Sequence, residues 1–213
     1  SEDIMHHHLK ANMNVYGVCM GIVDGKPYAA LTEEEGPTIQ LWDLISKQVI
    51  NTLDITADET NVPKSGNEAE GCVFDDENKH LLISREGERG YLKAFKSDTL
   101  EMIKVVDSRD GNITGDPEGV AIYATSENDG YIILSSQGGN EFNLYDRQNL
   151  TFIEKFKING VEDTDGLDVT NNQVKGIFPN GFLVVQDGRN LPSNQNFKII
   201  SMEEVLKKKL SHH

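Results

Sequence analysis

Four segments of this chain open in the same way, with an acidic or phenolic residue followed by glycine. The pairs are Tyr16-Gly17, Glu70-Gly71, Glu118-Gly119 and Asp165-Gly166. Carboxylate and phenol oxygens are hard donors, and calcium binds many such oxygens in irregular geometry. If the fold brings the four pairs to one opening, three carboxylates and a phenol will form a site for a hard cation.

The spacing of these pairs is about 50 residues, and each pair is followed by short apolar runs separated by polar turns. The unit that begins at Glu118 shows the pattern clearly, as VAIYAT, YIILSSQ, FNLYD and FIEKFKI. Short runs rich in β-branched and aromatic residues between Gly, Asn and Asp turns predict β-strands. The repeat therefore predicts an all-β fold, a β-propeller of four-stranded antiparallel blades whose equivalent residues converge on the central axis.

The repeat also predicts how the chain is divided. The expected propeller domain covers residues 15–206, with blades at about 15–57, 70–107, 118–158 and 165–202. Residues 1–14, which contain His6, His7 and His8, are interpreted as a tag-like N-terminal segment, and residues 207–213 as a C-terminal tail.

The last unit differs from the other three. It contains only three strand-like runs and then MEEVLKKKL, which predicts a short helix. An incomplete blade has an exposed edge strand, and such edges recruit partners. We expect a stretch from near the N-terminus, another chain or further blades to complete the propeller there.

The composition of the chain disfavours some classes of partner, namely nucleic acids and membranes. The chain has 35 acidic and 20 basic residues and a net charge of −15, which disfavours a nucleic-acid partner. No apolar run is long enough to span a membrane, so no membrane partner is expected. The composition is typical of a secreted or periplasmic domain. Cys19 and Cys72 stand at different offsets from their glycines, which favours two buried thiols over a disulfide.

Further oxygen ligands are expected near the same opening. Asp116 and Glu118 are two residues apart on an extended segment, so they share a face. Glu86 and Gln137 end the second strands of consecutive units, at the same rim. The last unit adds Asp163, Asp165 and Asp168. Such oxygen donors favour calcium over zinc, because no Cys/His cluster in the sequence has the spacing of a zinc site. The alternative for each acid is an ordinary turn residue on a solvated surface.

The order of several motifs resembles the β-propeller phytases over about residues 15–206. The motifs are Glu70-Gly71 with Asp75-Asp76-Glu77, Asp116-x-Glu118-Gly119, Ser135-Ser136-Gln137-Gly138, Tyr145-Asp146-Arg147-Gln148, Asp163-Thr164-Asp165-Gly166, Gln186-Asp187-Gly188 and Asn194-Gln195-Asn196-Phe197-Lys198. That family has six-bladed propellers that bind calcium and hydrolyse phosphate monoesters of phytate, with a metal-activated water attacking phosphorus. The resemblance implies phytate as the small-molecule partner and Ca2+ as the cofactor.

The resemblance also implies roles for individual residues. The implied catalytic residues are Tyr16, Glu70, Glu86, Asp116 and Glu118. The implied substrate-binding residues are Tyr16, Arg85 and Glu86. The implied calcium ligands are Tyr16, Glu70, Glu86, Asp116, Glu118, Gln137, Asp165 and Asp168.

Two departures from the family leave alternatives open. Only about four of six blades have a counterpart, and Glu34 stands where the family has a phosphate-binding lysine. Arg85, which replaces an acid, is expected to compensate, with Lys93 as a second basic residue. One alternative is a non-catalytic calcium-binding propeller segment that serves binding or assembly. The other is a calcium-dependent propeller that resembles lactonases.

Overall fold

The computed structural model describes residues 9–63 and 66–210, without the side chains of residues 208–210, so the histidines at 6–8 lie outside the described residues. The first blade contains β1 (Val15–Val23), β2 (Lys26–Glu33), β3 (Thr38–Asp43) and β4 (Gln48–Asp54). The second contains β5 (Ala69–Asp75), β6 (His80–Arg85), β7 (Tyr91–Lys96) and β8 (Met102–Ser108). The third contains β9 (Asp116–Ala124), β10 (Gly130–Gln137), β11 (Glu141–Asp146) and β12 (Thr151–Phe156). The fourth contains β13 (Leu167–Thr170), β14 (Phe182–Asp187) and β15 (Asn196–Ser201), followed by α1 (Met202–Leu210).

Each blade is an antiparallel meander, and the first strands of successive blades lie side by side. This arrangement confirms the predicted all-β propeller. The short helix is also confirmed, and so is the incomplete last blade, since the fourth sheet has three strands among the described residues. In the same parts of the chain, no helix has the length and apolar character needed to cross a membrane.

Hydrophobic clusters lie between neighbouring blades. In β6, Leu81 and Ile83 pack toward the first blade, whereas Leu82 packs toward the third. In β10, Ile132 packs toward the second blade and Ile133 toward the fourth. Because both faces of a middle blade are covered, these strands are continuous apolar runs rather than alternating ones.

A β-bulge marks the residue-glycine pair in each of the first three blades. The register between the first and second strands shifts after Val15, after Ala69 and between Pro117 and Val120. A bulge bends the strand and redirects a side chain. The bulges therefore determine where the side chains before Gly17, Gly71 and Gly119 point.

The glycines of these pairs allow neighbouring blades to approach closely. A Cβ atom added to Gly71 would lie 2.5 Å from the carbonyl oxygen of Glu118, and one added to Gly119 would lie 2.5 Å from that of Asp165. The Gly119 N–H donates to the Asp165 carbonyl at 2.8 Å. The Ser135 hydroxyl donates to the same oxygen at 2.9 Å. Only glycine tolerates such close backbone contact. The contact holds the acids of adjacent blades close together.

Cys19 and Cys72 form a disulfide with a Cα–Cα distance of 5.7 Å, so the expectation of two buried thiols is wrong. The offset from glycine was a poor guide because the two residues belong to different blades. Strand β1 turns Gly17 and Gly21 toward the second blade, and Gly21 meets Phe74 of β5. Cys19 and Cys72 therefore point into the same interface from opposite sides.

A buried ion pair joins the second and third blades. Arg147 donates to both oxygens of Asp75, at 2.6 and 2.8 Å, and the two side chains are 4% and 1% exposed. Burial alone raises the pKa of Asp75, but hydrogen bonds from Arg147 and Asn78 hold it below its usual value. The pair closes the end of β5 that lies away from Glu70.

Replacement of Arg147 by methionine should lower the free energy of unfolding by about 3–5 kcal/mol, because Asp75 would stay buried without its cation. Urea unfolding at neutral pH measures this change. The contribution of Asp75 to the free energy of unfolding should also depend on pH. It should be fully present above the pKa of an unfolded aspartate and be lost as the pH falls through the lowered pKa of Asp75 in the folded protein. Lys79→Met is the control, since it breaks an ion pair exposed at 70% and 68% and should have little effect. Equally small changes in both variants would contradict the assignment.

Candidate functional site

The four residue-glycine pairs line one cavity of about 210 Å³ at the axis of the propeller. Its wall carries the side chains of Tyr16, Glu70, Glu118 and Asp165, one from each blade. The convergence follows from the repeat, since each of these residues stands at the start of the first strand of its blade.

Two of these acids are buried against each other. Glu70 is 7% exposed and Glu118 is 5% exposed, and one oxygen of Glu70, Oε2, is buried without a hydrogen-bond partner. Burial, with the charges of Glu70, Glu86 and Asp165, raises the pKa of Glu118 to about 9. Burial also raises the pKa of Glu70. Two buried acids in contact are costly unless a proton or a cation compensates them.

Tyr16 completes the cavity from the first blade. Its side chain is more exposed than the acids, at 58% for the residue. Burial of the hydroxyl, with the charges of Glu70, Glu118 and Asp165, raises its pKa to about 12. The phenol keeps its proton at neutral pH and can donate it in a hydrogen bond, to Glu70 or to a group at the opening.

Glu86 and Asp116 lie beside this cavity, on the side of the second and third blades. Burial, followed by the charges of Glu70 and Glu68, raises the pKa of Glu86 to about 7. Asp116 accepts hydrogen bonds from the Arg109 guanidinium and, at 3.1 Å, from the N–H of Gly87.

Gln137 and Asp165 connect the third and fourth blades. The Gln137 amide donates to Asp165, and Gln137 pairs with Asp116 at the end of β10. The side-chain amide of Gln137 thus lies beside one of the candidate ligands, Asp165.

The structure does not bring Asp168 to the cavity. Asp168 is exposed on β13, and its carboxylate accepts the N–H of the adjacent Val169 at 2.8 Å. Leu167 lines the cavity, and the side chain of the next residue along a strand points to the opposite face.

The expectation that Arg85 binds substrate finds no support in its surroundings. The side chain is fully buried, donates to both oxygens of Glu59 at 2.8 and 3.0 Å and to Asn67, and stacks over the ring of Tyr91. Lys93 is 2% exposed and donates to Asp58 at 2.6 Å. Both cations hold the segment between the first two blades through these ion pairs.

Two candidate functional residues, Glu68 and Arg109, were not predicted from the sequence. Glu68 adjoins Glu86, and the motif Glu68-Ala69-Glu70-Gly71 matches Asp116-Pro117-Glu118-Gly119, so the sequence contained a signal for it. Arg109 had no such signal, because its loop position does not show that it meets Asp116. Arg109 also borders a cavity of about 580 Å³, together with Arg89, Tyr91 and Lys93.

The donor chemistry of the axial site fits a hard cation. Carboxylates, an amide carbonyl and a phenol are oxygen donors of the kind that calcium prefers. The buried Oε2 of Glu70 has no partner, as expected for an atom that binds an ion. Within residues 9–63 and 66–210, no three His, Cys, Asp or Glu side chains form a preformed metal cage. The acids meet in pairs instead.

Comparison with known proteins agrees with this fold. The family described as Phytase matches residues 6–212. A 3-phytase of Bacillus subtilis (strain 168) is 35% identical over 163 residues, which is 71% of this chain and 43% of the relative. This chain thus spans less than half the length of that relative.

Solved structures with low sequence identity share the fold. Hydrazine synthase from Kuenenia stuttgartiensis aligns with a TM-score of 0.63 and 13% identity, over 95% of this chain and 50% of the other. The RRP9 WD40 repeats align with a TM-score of 0.58 and 10% identity, over 90% and 52%. These likenesses concern architecture alone. The family match, which covers nearly the whole sequence, shows that the chain belongs to the phytase family.

Proposed function

We propose that this chain carries part of the active site of a calcium-dependent phosphomonoester hydrolase that acts on phytate. One observation carries the proposal, namely the convergence of Glu70, Glu118, Asp165 and Tyr16 on one cavity with a buried, unpartnered carboxylate oxygen. Membership of the phytase family supports a hydrolase, and the 3-phytase relative supports phosphate esters of phytate type as substrates.

In this proposal the buried acids hold the cation. Glu70 and Glu118 face each other in the cavity, Asp165 and Gln137 close it from the last two blades, and Glu86 lies beside them. Bound calcium supplies positive charge that neutralises substrate phosphate and activates water. No ion-pairing cation lies against Glu70, Glu86 or Glu118 in the described parts of the chain.

Two other side chains act on the substrate or on the acids. The exposed, protonated Tyr16 can donate a hydrogen bond to a phosphate oxygen at the opening. Arg109 is a positioning residue, because its guanidinium holds Asp116 in place.

A further sheet is proposed to cover the open face of the first blade. Val18, Met20 and Ile22 are 64%, 72% and 50% exposed. The equivalent positions in the second and third blades, such as Phe74 and Val120, are buried against the preceding blade. An apolar stripe of this kind is suited to a neighbouring blade.

A secreted or periplasmic location is part of the same proposal. The Cys19–Cys72 disulfide supports it, since disulfides form and persist in oxidising compartments.

Glu118→Gln should abolish calcium-dependent phosphate release from phytate, because an amide cannot supply the negative charge that holds the cation. The variant should stay folded, since one of two repelling acids is gone. Glu127→Gln, in the exposed turn after β9, removes the same charge away from the site and should keep wild-type turnover. Phosphate release by Glu118→Gln at the wild-type rate would remove Glu118 from the site. Wild-type protein that binds calcium without releasing phosphate would instead favour the non-catalytic alternative.

Glu34→Lys should tighten binding of phytate in calcium several-fold, with the larger effect at low salt, where charges are screened least. Glu34 is exposed after β2, at the repeat position of Glu86 and Gln137. Titration of phytate into both forms measures the effect. Glu77→Lys, in the turn after β5, makes the same charge change elsewhere and should alter affinity less. Equal affinities for Glu34→Lys and wild type would show that Glu34 does not face the substrate.

A further inference from the structure

In three of the blades, a second acidic residue stands two positions before the acid that lines the axial cavity. The pairs are Glu68 with Glu70, Asp116 with Glu118 and Asp163 with Asp165. Glu70 and Glu118 are each followed by the glycine that contacts the next blade, Gly71 or Gly119. Gly166 has the equivalent position after Asp165. Glu68 therefore occupies in the second blade the place that Asp116 occupies in the third.

The surroundings of these three equivalent acids differ in one respect. Asp116 meets Arg109, and Asp163 lies 3.5 Å from Arg189. Glu68 has no such cation in the part of the chain that the structure describes. It adjoins Glu86 instead, whose backbone N–H donates to the Glu68 carbonyl at 3.2 Å.

Two carboxylate oxygens in this place are buried without hydrogen-bond partners, Oε2 of Glu68 and Oε2 of Glu70. Glu70 is 7% exposed and lines the axial cavity, so its orphan oxygen is independent evidence for a ligand. The charge of Glu68 also acts on Glu70. A buried carboxylate oxygen without a partner costs free energy that an ion would offset.

We propose that Glu68 is a further calcium ligand, which together with Glu86 holds a divalent cation beside Glu70. The cation takes the place in the second blade that an arginine takes beside the equivalent acids of the third and fourth blades. This inference rests on the proposed calcium-dependent function and adds a ligand to it. Because Glu68 directly precedes β5 and Glu86 directly follows the adjacent strand β6, the ion would also hold the start of the second blade together.

The test is Glu68→Gln, titrated with calcium chloride in a calorimeter and melted in chelator. The amide keeps the shape of the side chain and can still donate a hydrogen bond to Glu86. Calcium affinity should fall by roughly tenfold or more, or one ion should be lost. The melting temperature in chelator should rise, because a like-charge contact is removed. If Glu68 made only a structural hydrogen bond, its replacement would not weaken calcium binding and also raise the melting temperature in chelator.

Glu88→Gln is the matched control, since Glu88 is exposed two residues after Glu86 and carries the same charge. It should leave the calcium isotherm unchanged. Glu86→Gln and the double variant Glu68→Gln/Glu86→Gln complete a double-mutant cycle. The double variant should lose less calcium-binding free energy than the sum of the losses in the two single variants.

A calcium isotherm of Glu68→Gln that matches wild type, with a melting temperature in chelator that does not rise, would overturn the assignment of Glu68 alone. Wild-type protein that binds no calcium would overturn the proposed calcium site as well. Circular dichroism of each variant shows that it is folded before its isotherm is compared.

Discussion

Repulsion among carboxylates on the axis is the constraint on which the rest of this structure depends. Glu70, Glu86, Glu118 and Asp165 act on one another in a largely buried place, and burial raises the pKa of the first three. The backbone must hold them together against that repulsion. It does so through the glycine contacts between blades and through hydroxyls that bind the carbonyl of the next acid, as Ser135 binds Asp165.

The strand β5 shows how one element serves both stability and the site. Its first residues place Glu70 in the cavity, Cys72 joins it to the first blade, and Asp75 at its end is bound by Arg147 of the third blade. Because the disulfide and the ion pair fix the strand in both directions, Glu70 cannot move away from Glu118 to relieve the repulsion. A proton on Glu118 or a bound cation is then needed to compensate the charge, and the proposed calcium would supply it.

Much of this arrangement could be predicted from sequence, because repeat position determines it. The convergence of Tyr16 and the three acids followed from the period of the glycine pairs. Pairings between blades, or between a blade and the loops that join blades, could not be predicted, since they depend on how separate segments of the chain pack together. The Cys19–Cys72 disulfide, the burial of Arg85 against Glu59 and the contact of Arg109 with Asp116 are all of this kind.

Thermal unfolding of the unmodified chain in calcium and in chelator tests the central claim most directly. A ligand that binds only the folded state stabilises it by RT ln(1 + [L]/Kd), about 2.7 kcal/mol at a hundredfold excess over Kd. The account predicts that the melting temperature rises with calcium concentration and falls in chelator, with a smaller response to magnesium, which demands stricter geometry. A melting temperature that is the same in calcium and in chelator would contradict it.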